Sequence, residues 1–279
     1  MYGGALLYVH LWRIDMSFIK NQAKYQTKGS IFFSQIRKVR RENIETNKLN
    51  YSWGAPHYKV YPSALSYSMC PLEYIKSLDT FNGITDLTAI YKTSRGSAVH
   101  EELQKDLVKS SKLYSKEKLQ SKFTGEQLEK FLENWPEIPF RCNTSGISGR
   151  LDGLLMYDSP IPLEIKTTSV SVDSWISHIE TKLPNPKHIC QGAIYCEMLN
   201  RLGIVEEDIT KFCLAYVNLL LPPGDTKAEQ EYIINYDEKL KNDTRLLIDH
   251  ITIVRDAYIN NAIESIECTY PLCKAHRSN

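Results

Sequence analysis

Two carboxylates and an ammonium stand close together in residues 149–166, GRLDGLLMYDSPIPLEIK: Asp152, Glu164 and Lys166. On one face, Asp152 and Glu164 repel each other, and one takes up a proton unless a cation lies between them. Hard oxygen ligands suit magnesium or manganese. Such an ion lowers the pKa of a bound water and steadies the charge that builds on a phosphate in its transition state, and Lys166 would orient or polarise that water. By itself a Glu-x-Lys triplet is also what a solvated, cross-strand-paired face looks like. Its neighbours decide between the two.

Residues 147–156 have strand composition, with Gly149 and Gly153 thinning the backbone beside Asp152, and residues 163–168 alternate with period two. Leu163 and Ile165 then face one way, Glu164 and Lys166 the other. A hairpin closed around Ser159, Pro160 and Pro162 brings Asp152 alongside them.

Upstream, residues 61–74 read YPSALSYSMCPLEY, where Ser63 is placed to cap a short helix ending near Cys70 and Pro71. Residues 93–108, TSRGSAVHEELQKDLV, space Val99, Leu103 and Leu107 as an amphipathic helix entered through Arg95 and Gly96. His100 sits beside that stripe, where a lone histidine is ordinarily structural. Residues 105–140 are a lysine- and glutamate-rich helical stretch ending at the Trp135-Pro136 and Ile138-Pro139 breaks. It reads as a helical insert, either one wall of a channel or a solvated face.

Downstream, Thr167, Thr168 and Ser169 either donate to a phosphate or finish the strand, and Trp175 either stacks on a base or packs. Residues 186–202 form a helix with a proline in the first turn and Gly203 beyond the end. Gln191 and Tyr195, four apart, share a face of it. Residues 211–221, KFCLAYVNLLL, fit a buried central strand; residues 232–236 suit another, and 238–266 have long helical periodicity.

The pattern G-x-x-D, a short hairpin and then E-x-K resembles the signature of the PD-(D/E)xK nuclease superfamily. The serine-leucine turn leading to Cys70-Pro71, the R-G-x-x-x-H helix ending at His100 and the Q-x-x-x-Y of Gln191 and Tyr195 resemble, in that order, the further motifs of its RecB-like exonuclease subgroup. CRISPR-associated RecB-like exonucleases, AddB-type nuclease domains and the mitochondrial genome-maintenance exonuclease belong to it. The resemblance implies an α/β fold: a restriction-endonuclease-like core with a mixed central sheet flanked by helices, plus a helical lobe. It implies a DNA exonuclease dependent on Mg2+ or Mn2+, acting on ends and on single strands. His100, Asp152, Glu164 and the carbonyl of Ile165 would hold the metal, and Lys166 would position the water. Gln191 and Tyr195 would contact DNA phosphate or the catalytic residues, and Arg95 and Thr167 join the substrate-binding set. An endonuclease, a partner of a helicase or recombination protein, and a non-catalytic DNA-binding subunit are the alternatives. Retention of Asp152, Glu164 and Lys166 together argues against the last.

Some relatives carry an iron-sulfur cluster on one cysteine before the core and three after it. Cys70, Cys268 and Cys273 match three of those, and His276 would have to complete a [4Fe-4S] or zinc site; the mitochondrial branch has no cluster. A chain of 279 residues with net charge +1 leaves DNA affinity to local patches. Seven scattered cysteines favour a reducing, intracellular setting, and no apolar run approaches a membrane span. The first 15 residues lack the basic start and cleavage site of a signal peptide, and Met16 is an alternative start. From Lys20 to Arg41 the chain is basic without an acidic residue, either an arm along a phosphate backbone or a solvated tail. The expected organisation is therefore a basic extension, 1–60, and a nuclease domain, 61–279.

Overall fold

In the computed structural model, residues 60–68, 70–78, 87–110, 112–221, 225 and 227–265 are described. The basic arm, Cys268, Cys273 and His276 lie outside them. The chain divides into two units, Met1–Ser52 with Gly83–Leu87, and Trp53–Asn82 with Thr88–Asn279. Among the described residues, the second unit holds every strand and all the candidate site residues.

In chain order the helices are α1 (Pro62–Ser68), α2 (Pro71–Leu78), α3 (Leu87–Lys109), α4 (Lys116–Gln120), α5 (Gly125–Asn134), α6 (Val172–Thr181), α7 (Pro186–Arg201) and α8 (Glu238–Ile259). The strands are β1 (Ile138–Arg141), β2 (Ser148–Leu151), β3 (Gly153–Met156), β4 (Pro160–Thr168), β5 (Lys211–Asn218) and β6 (Glu229–Asn235). Strands β3-β4-β5-β6 form a mixed sheet in that order, antiparallel except for the parallel β4–β5 pair, and β1 and β2 form a separate antiparallel ribbon. Helices α6 and α7 lie in the crossover between the parallel strands, as such a pair requires.

Strand β4 separates two chemistries. Ile161, Leu163 and Ile165, with Cys213 of β5, pack against Leu103 and Leu107 of α3. The opposite face carries Glu164 and Lys166, in register with Leu214 and Tyr216, beneath α7. Helix α7 comes close to the sheet at Gly192: a Cβ there would sit 2.3 Å from the Phe212 ring, so only glycine lets the helix this near. Helix α8 packs on α7 and α2 and closes the layer.

Several local expectations change. The stretch 147–156 is two strands in two sheets, broken at Asp152. Pro160 and Pro162 lie inside β4 instead of its turn. The Ile165 N–H points towards β3, so those of positions 160 and 162 would point to the β5 side, where pairing begins only at Leu163. No ladder bond is lost. Ser63 is not a cap, since Pro62 already opens α1 and the Tyr61 carbonyl accepts the Leu65 N–H. The 105–140 stretch resolves into the end of α3, α4, α5 and the start of β1, which absorbs the Ile138-Pro139 break. Trp175 belongs to α6, is buried, and donates its indole N–H to the Lys227 carbonyl at 2.6 Å, which settles it as a packing residue.

Candidate active site

Asp152 occupies the joint between the ribbon and the sheet. The β3–β4 ladder ends at Gly153↔Leu163, and the next inward-pointing donor, the Ile165 N–H, is taken by Asp152 Oδ2 at 2.6 Å. A side chain thus replaces a strand neighbour and fixes its carboxylate against β4. Asp152 Oδ1 lies 3.5 Å from His100 Nδ1, and the Asp152 carbonyl accepts the Gln104 side-chain N–H at 3.3 Å. His100 and Gln104, four apart on α3, share a face and grip one residue through two atoms. Sequence reasoning missed Gln104; its only local signal was that i,i+4 spacing.

Helix α3 is brought close to β4 by Gly96, whose added Cβ would fall 2.7 Å from Thr167 Oγ1. Thr167 therefore faces α3, on the side of the sheet away from Glu164 and Lys166. Arg95 belongs to α3, but its side chain lies outside the described residues.

On the other face a chain of polar contacts runs from sheet to helix. Lys166 Nζ donates to Glu164 Oε1 at 2.5 Å and to Gln191 Oε1 at 2.8 Å, and Gln191 Nε2 donates to Glu164 Oε1 at 2.8 Å and to the Tyr195 hydroxyl at 2.7 Å. Gln191, Tyr195 and Glu164 are buried, and Lys166 is half-buried. Tyr195 is braced edge-on by Phe140, with ring centres 5.6 Å apart. A further histidine, His188, places Nδ1 2.9 Å from the Tyr216 hydroxyl. Burial, and then the charges of Lys166 and Lys187, hold it down at about 4 and therefore neutral.

The electrostatics are uneven. Burial and then the negative charge of Asp152 lift the Glu164 carboxyl well above the usual carboxylate range, with Lys166 opposing. For His100 burial disfavours protonation, but contact with Asp152 and the charge of Glu164 outweigh it and raise its pKa. Burial and the Glu164 charge keep the Tyr195 phenol protonated.

Among the described residues no group of three or more His, Cys, Asp or Glu side chains is drawn together as a ready metal cage. Asp152 Oδ2 is turned to a backbone N–H, and Glu164 Oε1 to Lys166 and Gln191. The donor set nevertheless fits a hard divalent cation: two carboxylates, one of them raised by burial and then by the charge of the other, with an imidazole beside them. Cys70 is buried, and its sulfur accepts the Glu73 N–H at 3.5 Å, capping α2.

Two clefts reach Asp152, Tyr195, His100 and Gln104, and neither is lined by Glu164 or Lys166. One, of about 660 Å³, is lined by Asp152 and Tyr195 with parts of α5 and the β1–β2 ribbon. The other, of about 770 Å³, is lined by His100 and Gln104 with α3 and residues 133–137. Glu133, Asn134 and Glu137 border both.

The sequence matches no protein-family model, and no curated protein matches it. Solved structures similar to this chain include an alkaline exonuclease (LHK-Exo) from Laribacter hongkongensis, with TM-score 0.43 and 16% identity over 76% of this chain and 95% of that one. The same exonuclease in complex with dAMP gives TM-score 0.41 and 15% identity, covering 75% and 93%. Among the described residues no helix is long and apolar enough to cross a membrane.

Proposed function

We propose that this chain is a divalent-metal-dependent DNA nuclease that hydrolyses phosphodiester bonds from the ends of single strands. The observation that carries the reading is the buried Glu164, set against the charge of Asp152 and fastened to Lys166 and Gln191. A buried carboxylate raised by a second carboxylate is a poor packing choice and a good seat for positive charge. The action on ends rests on the ordered motifs shared with RecB-like exonucleases.

His100, Asp152 and Glu164, with the Ile165 carbonyl, would hold magnesium or manganese. When bound, such an ion lowers the pKa of its water and offsets charge on the phosphate. Lys166 positions the attacking water, its ammonium held by Glu164 and Gln191. Gln191 keeps both groups at fixed separation, and Tyr195, protonated throughout the neutral range, anchors Gln191. His100 and Gln104 fix Asp152 from the α3 side.

The test is digestion of end-labelled linear and circular single-stranded DNA with magnesium, manganese or chelator, beside Asp152→Ala. The expected result is metal-dependent loss of the linear substrate alone, abolished in the variant. Survival of both substrates in every condition would overturn the reading.

A further inference from the structure

The ribbon that delivers Asp152 carries two arginines on one of its faces. In its antiparallel register Arg141 pairs with Ser148 and Pro139 with Arg150. Directly opposed residues share a face, so Arg141, Ser148 and Arg150 line one side of the ribbon, and the strand then runs into Asp152. Arg141 and Arg150 are diagonal neighbours across the ribbon, and such pairs are about 7–8 Å apart, a spacing comparable to that of successive phosphates on an extended nucleic-acid strand. All of these residues line the 660 Å³ cleft that reaches Asp152 and Tyr195.

The two guanidiniums are held differently. Arg150 NH1 sits 2.7 Å from Glu137 Oε2 and donates to Asn134 Oδ1 at 3.1 Å. The Glu137 oxygen is buried and lies off the hydrogen-bond axis of that contact, while the Arg150 side chain is 53% exposed. The pair therefore orients Arg150 without enclosing it, and its other N–H groups have no partner among the described residues. Arg141 is exposed and has no side-chain partner among the described residues. Helix α5 contributes Glu126 and Glu133 to the same lining, with Lys130 tied to Glu126, while Glu137, just before β1, stands beside Arg150. A polyanion entering this cleft finds accessible guanidinium N–H donors on the ribbon and carboxylates on α5, so its backbone is steered to the ribbon.

We infer that Arg150 and Arg141 bind the phosphates next to the one being cut, and that the ribbon is the track that feeds a single strand to Asp152. The inference rests on the nuclease reading and adds to it the path of the strand. Both residues are binding residues in this assignment, because their guanidiniums touch the substrate backbone.

The test measures binding of a labelled single-stranded oligonucleotide in chelator over a series of salt concentrations, for the wild type, R150A, R141A and R150K. DNA cleavage by the wild type and melting temperatures of all four are recorded in parallel. R150A and R141A are each expected to weaken binding roughly tenfold and to flatten the log-log salt slope by about 0.7. R150K should keep the slope, since the charge remains. R141A tests the proposal even if loss of the Glu137 contact harms the folding of R150A. Unchanged slopes in R141A and R150A, with a wild type that binds and cuts DNA, would overturn the ribbon assignment and leave the nuclease reading standing. A wild type that neither binds nor cuts would remove both.

Discussion

Glu164 and Glu197 are buried to nearly the same depth, 6% and 3% exposed, and their surroundings treat them in opposite ways. Glu197, on α7, accepts from Arg201 Nε at 2.6 Å, the Tyr236 hydroxyl at 2.8 Å and Arg245 Nε at 3.2 Å. Burial alone would raise its pKa, but these donors outweigh it and hold the carboxyl below its ordinary value. Glu164 has one lysine and one amide, and Asp152 on its other side. The first carboxylate is a fastening between α7, α8 and the end of β6. The second is left short of positive charge, which structural carboxylates in a folded core are not.

The largest separation between the two sites comes from their cations. Lys166→Ala is expected to lower turnover about 10²–10⁴-fold, the range of a positioned proton-handling group, with DNA affinity close to wild type. Arg245→Ala, at the other glutamate, should leave turnover unchanged. Comparable turnover in Lys166→Ala and wild type under saturating DNA would erase the distinction.

Stability should respond in the reverse order. Glu197→Ala leaves two guanidiniums and a phenol without their shared acceptor, but Arg201 and Arg245 are partly exposed and can turn to water. The expected cost is about 2 kcal/mol, or roughly 4–8 °C in melting temperature. Because the folded-state pKa of Glu197 is depressed, its contribution is present above the unfolded value of about 4.3 and lost as pH falls through the lower folded value. Melting curves at falling pH should therefore bring Glu197→Ala and wild type together below the ordinary glutamate range. A gap that stays constant with pH would mean that packing, not charge, is what Glu197 supplies.

How much of the molecule was legible in its sequence depends on the range of the forces involved. Alternation over 163–168 placed Glu164 and Lys166 on one face, and a proline start and glycine end bounded α7, because these signals are local. The approach of His100 to Asp152 followed from motif order, and the structure brings them to 3.5 Å. The break at Asp152 depends on a side-chain bond to a backbone N–H 13 residues away, which no window of periodicity contains. The prolines of β4 are tolerated only because β5 begins later, a fact of sheet registry. Gln104 and Arg150 looked like ordinary helix and strand polar residues; only α3 packing on the ribbon joint and the β1–β2 register give them neighbours worth reading.

The smallest expected effect is also the one that tests what kind of site Glu164 occupies. Glu164→Gln keeps the shape and an acceptor for Lys166 and Gln191 while removing the charge that Asp152 opposes. A carboxyl whose folded-state pKa is raised contributes fully below its unfolded value and loses that contribution as pH rises through the folded one, so ionised Glu164 destabilises the metal-free protein at neutral pH. In chelator, Glu164→Gln should therefore melt above wild type at neutral pH by about 2–4 °C, equivalent to about 1 kcal/mol. The gain should vanish at pH values where the wild-type carboxyl is itself protonated. Glu197→Gln should show no such gain. If Glu164→Gln instead melts lower in chelator, Lys166 and Gln191 already satisfy the carboxylate, and Glu164 would be a second fastening of the same kind as Glu197.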